Sequence, residues 1–316
     1  MKKGWVLYDQ GKIGTYRQCL SLKNWLEKEY PIVFEDKTVD LKKPYRWFPP
    51  QLMKEFNYSK KLLLQNDDSS LPDLIIAGGR QATNLALTLR KTCFTMIVQN
   101  PHICSSYFDI VIPPLHDNVK GKNVCSTLGA LHPITADEIK ELRNQYYEGP
   151  TITVLIGGDS KHFKYTTDYI DQLANYIKER VDLAVFCQKE KIFITASRRS
   201  NPTLIHRLRE QLQNLTFEIW DNQGANPYLK YLSCADTIIV TGDSISMMSE
   251  ACITGKPVYI HETPTSSKRI NHFIKNLFKS RYAFSLKDNP STLSYIEPLN
   301  ELERIKPCIR RSLTNF

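Results

Sequence analysis

Residues 236–260, Asp-Thr-Ile-Ile-Val-Thr-Gly-Asp-Ser-Ile-Ser-Met-Met-Ser-Glu-Ala-Cys-Ile-Thr-Gly-Lys-Pro-Val-Tyr-Ile, constrain the fold more than any other stretch. A β-branched run at 237–241 meets a Gly242-Asp243-Ser244 turn, helix formers fill 245–254, and Gly255 and Pro257 end that segment before a second apolar run. Strand, tight loop, helix and strand in this order predict a parallel βαβ unit. Its right-handed crossover puts the helix N-terminus at the carboxyl edge of a sheet. Asp243, Ser244, Ser246 and Met247 then surround a crevice suited to phosphate, and Glu250, one turn beyond Ser246 on the same helix face, is placed for ribose hydroxyls. A capped βαβ unit with an exposed glutamate fits the same text, so both readings stand.

The same alternation runs through the whole chain. Apolar runs at 5–8, 31–39, 73–77, 94–98 and 110–112 predict strands in a first half, and those at 151–156, 192–196, 217–220 and 237–241 predict strands in a second. Glu148-Gly149-Pro150 breaks the text between them, which places a domain boundary at 148/149 and gives domains 1–148 and 149–316. In the second half, three strand ends carry Gly157-Gly158-Asp159-Ser160, Ser197-Arg198-Arg199 and Asp243-Ser244-Ser246-Glu250. Each loop alone can be structural. A parallel sheet brings all three to one edge, where amides, hydroxyls and adjacent arginines suit a diphosphate. Asn226 opens the helix that precedes the third loop.

In the first half, Gly11 and Gly14 allow close backbone approach, and Gly78-Gly79-Arg80 opens a helix with an anion-friendly turn. These are the candidate acceptor-side residues. Asp9, His116 and Asp117 lie at strand ends, where parallel sheets place chemistry, and are the candidate bases. For the His116-Asp117 pair, a turn with satisfied polar groups is the commoner origin of such a pattern. Tyr45-Arg46-Trp47-Phe48 and Leu52, interleaved with lysines, read either as core or as a membrane-facing patch for a lipid acceptor. The stripe Ile270, Phe273, Ile274, Leu277 and Phe278 predicts an amphipathic helix with a basic opposite face.

A net charge of +9 favours an anionic partner: a phosphorylated ligand, an acidic lipid surface or nucleic acid. Without a helix-turn-helix, RNP or zinc-finger pattern, nucleic acid ranks last. The eight cysteines include no C-x-x-C pair and sit mostly in apolar runs, which predicts reduced, buried thiols in a cytoplasmic protein with neither a disulfide nor a zinc site. There is no Asp-x-Asp and no Walker A sequence, so neither a metal-diphosphate site nor a cofactor is expected.

Ser249-Glu250 followed by Gly255 and Pro257 resembles the Glu and Gly-x-Pro signature in the C-terminal domain of GT-B glycosyltransferases, whose matching glutamate holds the nucleotide ribose. The wider text resembles the mitochondrial-fission "elongated mitochondria" family, a GT-B-like group. The blocks that carry this are Gly78 to Arg80, Pro113 to Asp117, Gly157 to Lys161, Ser197 to Arg199 and Asn226 to Val258. The resemblance implies an α/β fold of two Rossmann-like doubly wound parallel-sheet domains facing a cleft. The acceptor side is in the first domain, the nucleotide side in the second, and the C-terminal tail packs back toward the first. It also implies one of two functions. The first is metal-independent transfer from a nucleotide-sugar to an acceptor such as a membrane lipid, at the inner face of the membrane. The second is a non-catalytic, membrane-associated adaptor.

Overall fold

The computed structural model describes residues 1–57, 70–183, 191–197, 199–220, 223–265, 267–288 and 296–314. The first half of the chain runs β1 (Lys2–Asp9), α1 (Ile13–Glu29), β2 (Ile32–Val39), α2 (Pro50–Met53), β3 (Leu74–Gly78), α3 (Arg80–Leu89), β4 (Phe94–Val98) and β5 (Ile110–Ile112). After α4 (Ala136–Tyr146) come β6 (Thr151–Ile156), α5 (Thr167–Leu183), β7 (Lys191–Ala196), α6 (Pro202–Gln211), β8 (Phe217–Trp220) and α7 (Tyr228–Cys234). The chain continues through β9 (Thr237–Thr241), α8 (Ile245–Cys252), β10 (Val258–His261), α9 (Lys268–Lys279), β11 (Phe284–Ser285) and α10 (Glu301–Leu313). Among the described residues no helix is long and apolar enough to cross a membrane.

Two compact units emerge, 1–133 with 301–316, and 134–300. The boundary expected at 148/149 therefore falls inside the second unit, because α4 packs on α7. Arg143 of α4 explains that placement. Its guanidinium reaches the Cys234 and Ala235 carbonyl oxygens, both at 2.9 Å, and the Asp236 carboxylate at 2.5 Å, closing the C-terminal end of α7.

Each unit is a parallel sheet with helices on both faces, the Rossmann-like plan. The first has strand order β2-β1-β3-β4-β5 and the second β11-β10-β9-β6-β7-β8. In a strand the side chains alternate between faces. Thus Val6 and Ile76 pack with α1 and α10, while Trp5, Leu7, Ile75 and Ala77 pack with α3. All six residues of β6 are buried, the pattern of a strand covered on both sides. In each sheet the strand order reverses next to the first strand, between β1 and β3 and between β6 and β9. Those switch points are where such folds place ligands.

The expectation of uniformly reduced, buried thiols is corrected. Cys125 and Cys308 form a disulfide across 183 residues, joining α10 to the segment after β5. Cys104 is exposed. The pairing had no local spacing to announce it, because it depends on α10 returning to the first unit, where Ile305, Ile309 and Leu313 enter the core.

Candidate functional site

At the switch point of the second unit, Gly157 and Gly158 end β6 and Asp243 follows β9. The Asp243 side chain is almost fully buried. It accepts from the Gly158 amide at 3.0 Å, the Thr241 hydroxyl at 2.8 Å and the Tyr165 hydroxyl at 2.7 Å. The Arg199 guanidinium lies 3.3 Å away. Burial raises the Tyr165 phenol well above its usual pKa, and the Asp243 charge adds to that, so Tyr165 stays a donor. Thr241 and Tyr165 were not singled out in the sequence. Thr241 two residues before an aspartate at a strand end was the available signal, whereas Tyr165 carried none.

The three predicted loops do meet, because β9, β6 and β7 are neighbours. Arg199 donates to the Gly158 and Asp159 carbonyl oxygens at 3.2 and 3.1 Å, and its own carbonyl accepts from the Asp159 amide. Ser200 donates to the Gly157 carbonyl, and Ser197 Oγ accepts from the Arg199 amide. Ser160 Oγ accepts from the His162 and Phe163 amides. The Asp159 carboxylate accepts from the Tyr165 amide and from Lys164, which lowers its pKa.

One expected feature changes. The amides of Gly157, Gly158, Asp159 and Ser160 are each bonded inside the chain, to Thr241 Oγ1, Asp243 Oδ2, Arg199 O and Phe163 O. A loop read as a phosphate nest therefore already has its anion in Asp243. Arg198 lies outside the described residues. Asn226, exposed beyond β8, accepts from the Tyr228 amide at the start of α7.

The N-terminus of α8 is different. Ser244 is its N-cap and accepts from the Met247 amide at 3.4 Å. The amides of Ile245 and Ser246 have no partner among the described residues. Ser246 is half-buried, and Glu250, one turn on, is buried. Beside the carboxyl ends of β6 and β10 opens a cavity of about 650 Å³, with His162, Lys164, Asp168, Glu262 and Lys287 in its wall.

The first unit repeats the switch-point arrangement. Asp9, at the end of β1 and buried, accepts from the Gln81 and Ala82 amides at 3.2 and 2.8 Å, in the first turn of α3. A Cβ on Gly79 would sit 2.6 Å from the Asp9 carboxyl carbon. The Gly78-Gly79-Arg80 turn thus holds the chain's own carboxylate, while Arg80 points elsewhere and donates to the Arg46 carbonyl. Gly11 lies exposed in the turn after β1, and Gly14 in the first turn of α1. His116 has a buried side chain with Nε2 3.7 Å from Asp117 Oδ1, and Asp117 is partly exposed.

The sequence profile of the mitochondrial fission ELM1 family matches residues 13–313. The chain belongs to that family. Two relatives are each 28% identical to it. One is the mitochondrial fission protein ELM1 of Arabidopsis thaliana, where the match covers 80% of this chain and 66% of the plant protein. The other is the uncharacterised protein RP120 of Rickettsia prowazekii, where it covers 98% of both. The chain thus spans about two thirds of the plant protein's length. Among solved structures, the UDP-GlcNAc 2-epimerase of Methanocaldococcus jannaschii, in complex with UDP-GlcNAc and UDP, superposes with a TM-score of 0.54 at 14% identity and 100% coverage of both chains. At that identity the likeness shows the fold alone: this ELM1-family chain has the two Rossmann-like domains of the GT-B type.

Proposed function

We propose that this chain binds a nucleotide-sugar on its second unit and passes the sugar to an acceptor held by the first, without a metal. The observation that carries the reading is the N-terminus of α8: two unpartnered amides at a switch-point edge, with Ser246 beside them and Glu250 one turn behind. Amides and hydroxyls there would hold the diphosphate, joined by Arg198 and Arg199, and Glu250 would take the ribose hydroxyls. The cavity beside the carboxyl ends of β6 and β10 is large enough for a sugar. That a fold relative is described in complex with UDP-GlcNAc supports the ligand class.

In the transfer, the bond from the anomeric carbon to the diphosphate oxygen breaks and the acceptor oxygen bonds to that carbon. The acceptor's proton goes to a base, and the leaving charge rests on the α8 dipole and the arginines. Of the candidate bases, Asp9 is occupied in capping α3 and the His116 side chain is buried, which leaves Asp117, whose carboxylate is partly exposed, as the candidate. Titration calorimetry against UDP-, GDP-, ADP- and CMP-sugars tests the reading. One nucleotide class should bind, and Glu250→Ala should weaken it at least about tenfold. Absence of binding across the panel, or equal binding by the variant, overturns it.

The second reading is a non-catalytic adaptor, and α9 favours it. This helix carries Lys268, Arg269, His272, Lys275 and Lys279 exposed and no acidic residue, while Phe273, Ile274 and Leu277 are buried. Such a face suits an anionic partner. Turnover of a bound sugar nucleotide would eliminate this reading.

A further inference from the structure

We propose that the amino edge of the second unit's sheet carries a ligand site of its own, for a small aromatic carboxylate. A cavity of about 280 Å³ opens there, where β6 and β7 begin, beside α7 and the end of α4. Two matched pairs of side chains stand in its wall. On the helices the Lys230 ammonium lies 5.3 Å from the centre of the Tyr146 ring, and on β7 the Lys191 ammonium lies 5.0 Å from the centre of the Phe193 ring. Lys191 and Phe193 are two apart in a strand and so share one face of the sheet. The buried Cys234 lies in the same wall. Each pair thus offers a flat apolar surface with a positive charge beside it.

Charge and volume select the ligand. Among the described residues Glu148 is the acidic group in the wall. Its side chain is 80% exposed and lies 3.6 Å from Lys191 Nζ, a water-exposed pair and therefore a weak one. Asp236, close by, is held by Arg143, the Tyr147 hydroxyl and the Thr151 amide, and Glu218 on β8 accepts from the Tyr231 hydroxyl. No carboxylate among the described residues pairs with Lys230. The wall therefore keeps one ammonium in surplus, which matches a ligand with a single negative charge. A bare anion would meet that ammonium and leave the rings to water, whereas a planar apolar body bearing one carboxylate meets both. The volume lies just below that of pockets for drug-sized ligands, so one or two fused rings fit and a nucleotide-sugar does not.

This edge is opposite the one that bears Asp243 and the start of α8, so the site does not depend on the transferase reading. The probe is 2-naphthoate, titrated into the full chain by calorimetry, with 2-naphthamide as its uncharged counterpart. Naphthoate should bind with a dissociation constant of about 1 mM or below, and the amide should not bind. Lys230→Gln should weaken naphthoate about tenfold. Glu148→Gln removes the competing carboxylate and should tighten it about twofold. Lys275→Gln loses the same charge on the exposed face of α9 and should change it little. Bound naphthoate should also slow amide hydrogen exchange at 228–234, in α7. Four results each overturn the proposal: a dissociation constant well above 1 mM, equal binding of the amide, equal effects of Lys230→Gln and Lys275→Gln, or slowed exchange only at the carboxyl edge.

Discussion

A Cβ built on Gly157 would stand 2.1 Å from Asp243 Oδ1, so the carboxylate occupies the space any larger residue would need. Asp9 and Gly79 repeat the relationship in the first unit, where the nearest carboxylate atom would be 2.6 Å away. In both sheets an aspartate at the switch point closes onto one glycine at the end of the neighbouring strand. The crevice where these folds place ligands is thereby braced from within by the chain's own carboxylate.

Gly157→Ala should then destabilise the protein by about 1–3 kcal/mol through overpacking. Asp243→Ala should cost about 3–5 kcal/mol, because it strands the Gly158 amide, two hydroxyls and part of the Arg199 charge. The two changes share one space, so the double variant should lose less than the sum of the singles. Urea unfolding of the four proteins checks this, and strict additivity would separate the two residues.

How much of this could be read from the text depends on the range of the interaction. The β-branched run at 237–241 and the stripe Phe273, Ile274, Leu277 appear as β9 and the buried face of α9, because hydrophobic period is a local property. The meeting of the three loops was also legible, since it follows from parallel strand order. What filled the loops was not. That Asp243 satisfies Gly158, or that Arg143 closes α7 from across 90 residues, is fixed by tertiary distance and leaves no spacing in the sequence. The same holds for Cys125 and Cys308.

Arg143 gives a direct test of the unit boundary. Its guanidinium binds two carbonyl oxygens at 2.9 Å and the Asp236 carboxylate, stacks 3.8 Å from the Tyr147 ring centre, and is partly exposed. Arg143→Ala should cost about 2–3 kcal/mol, discounted for that exposure. Arg143→Lys should recover little, since a single nitrogen lacks the planar fork by which Nη1 reaches the two carbonyls while Nη2 reaches the carboxylate. Hydrogen exchange in the variant should speed up at 228–236 while the first unit is unchanged.

Reduction should loosen the first unit alone. A cross-link spanning 183 residues removes much of the unfolded chain's freedom, worth up to about 5 kcal/mol on the chain-entropy model. Cys308→Ser should lower the melting temperature and make it insensitive to phosphine reductant, whereas the parent should melt lower once reduced. Because Ile305, Ile309 and Leu313 remain in the core, α10 should stay docked in the native state of both.

His261 sets a pH limit on the second unit. Its ring is stacked 4.1 Å from Tyr169, and Nε2 lies 3.3 Å from the Tyr169 carbonyl oxygen. Burial, which penalises the charged form, lowers its pKa from 6.5 to about 4. The unfolded chain therefore binds this proton more readily than the folded one between those two values. The contribution to stability is complete above pH 6.5, falls as the pH drops through that window, and is gone at about pH 4. Over the window it amounts to about 3 kcal/mol. His261→Phe keeps a ring against Tyr169 but cannot be protonated. Denaturant midpoints taken from pH 7.5 down to 4.5 should fall more steeply for the parent than for His261→Phe, and parallel curves would show that His261 is not the group being protonated.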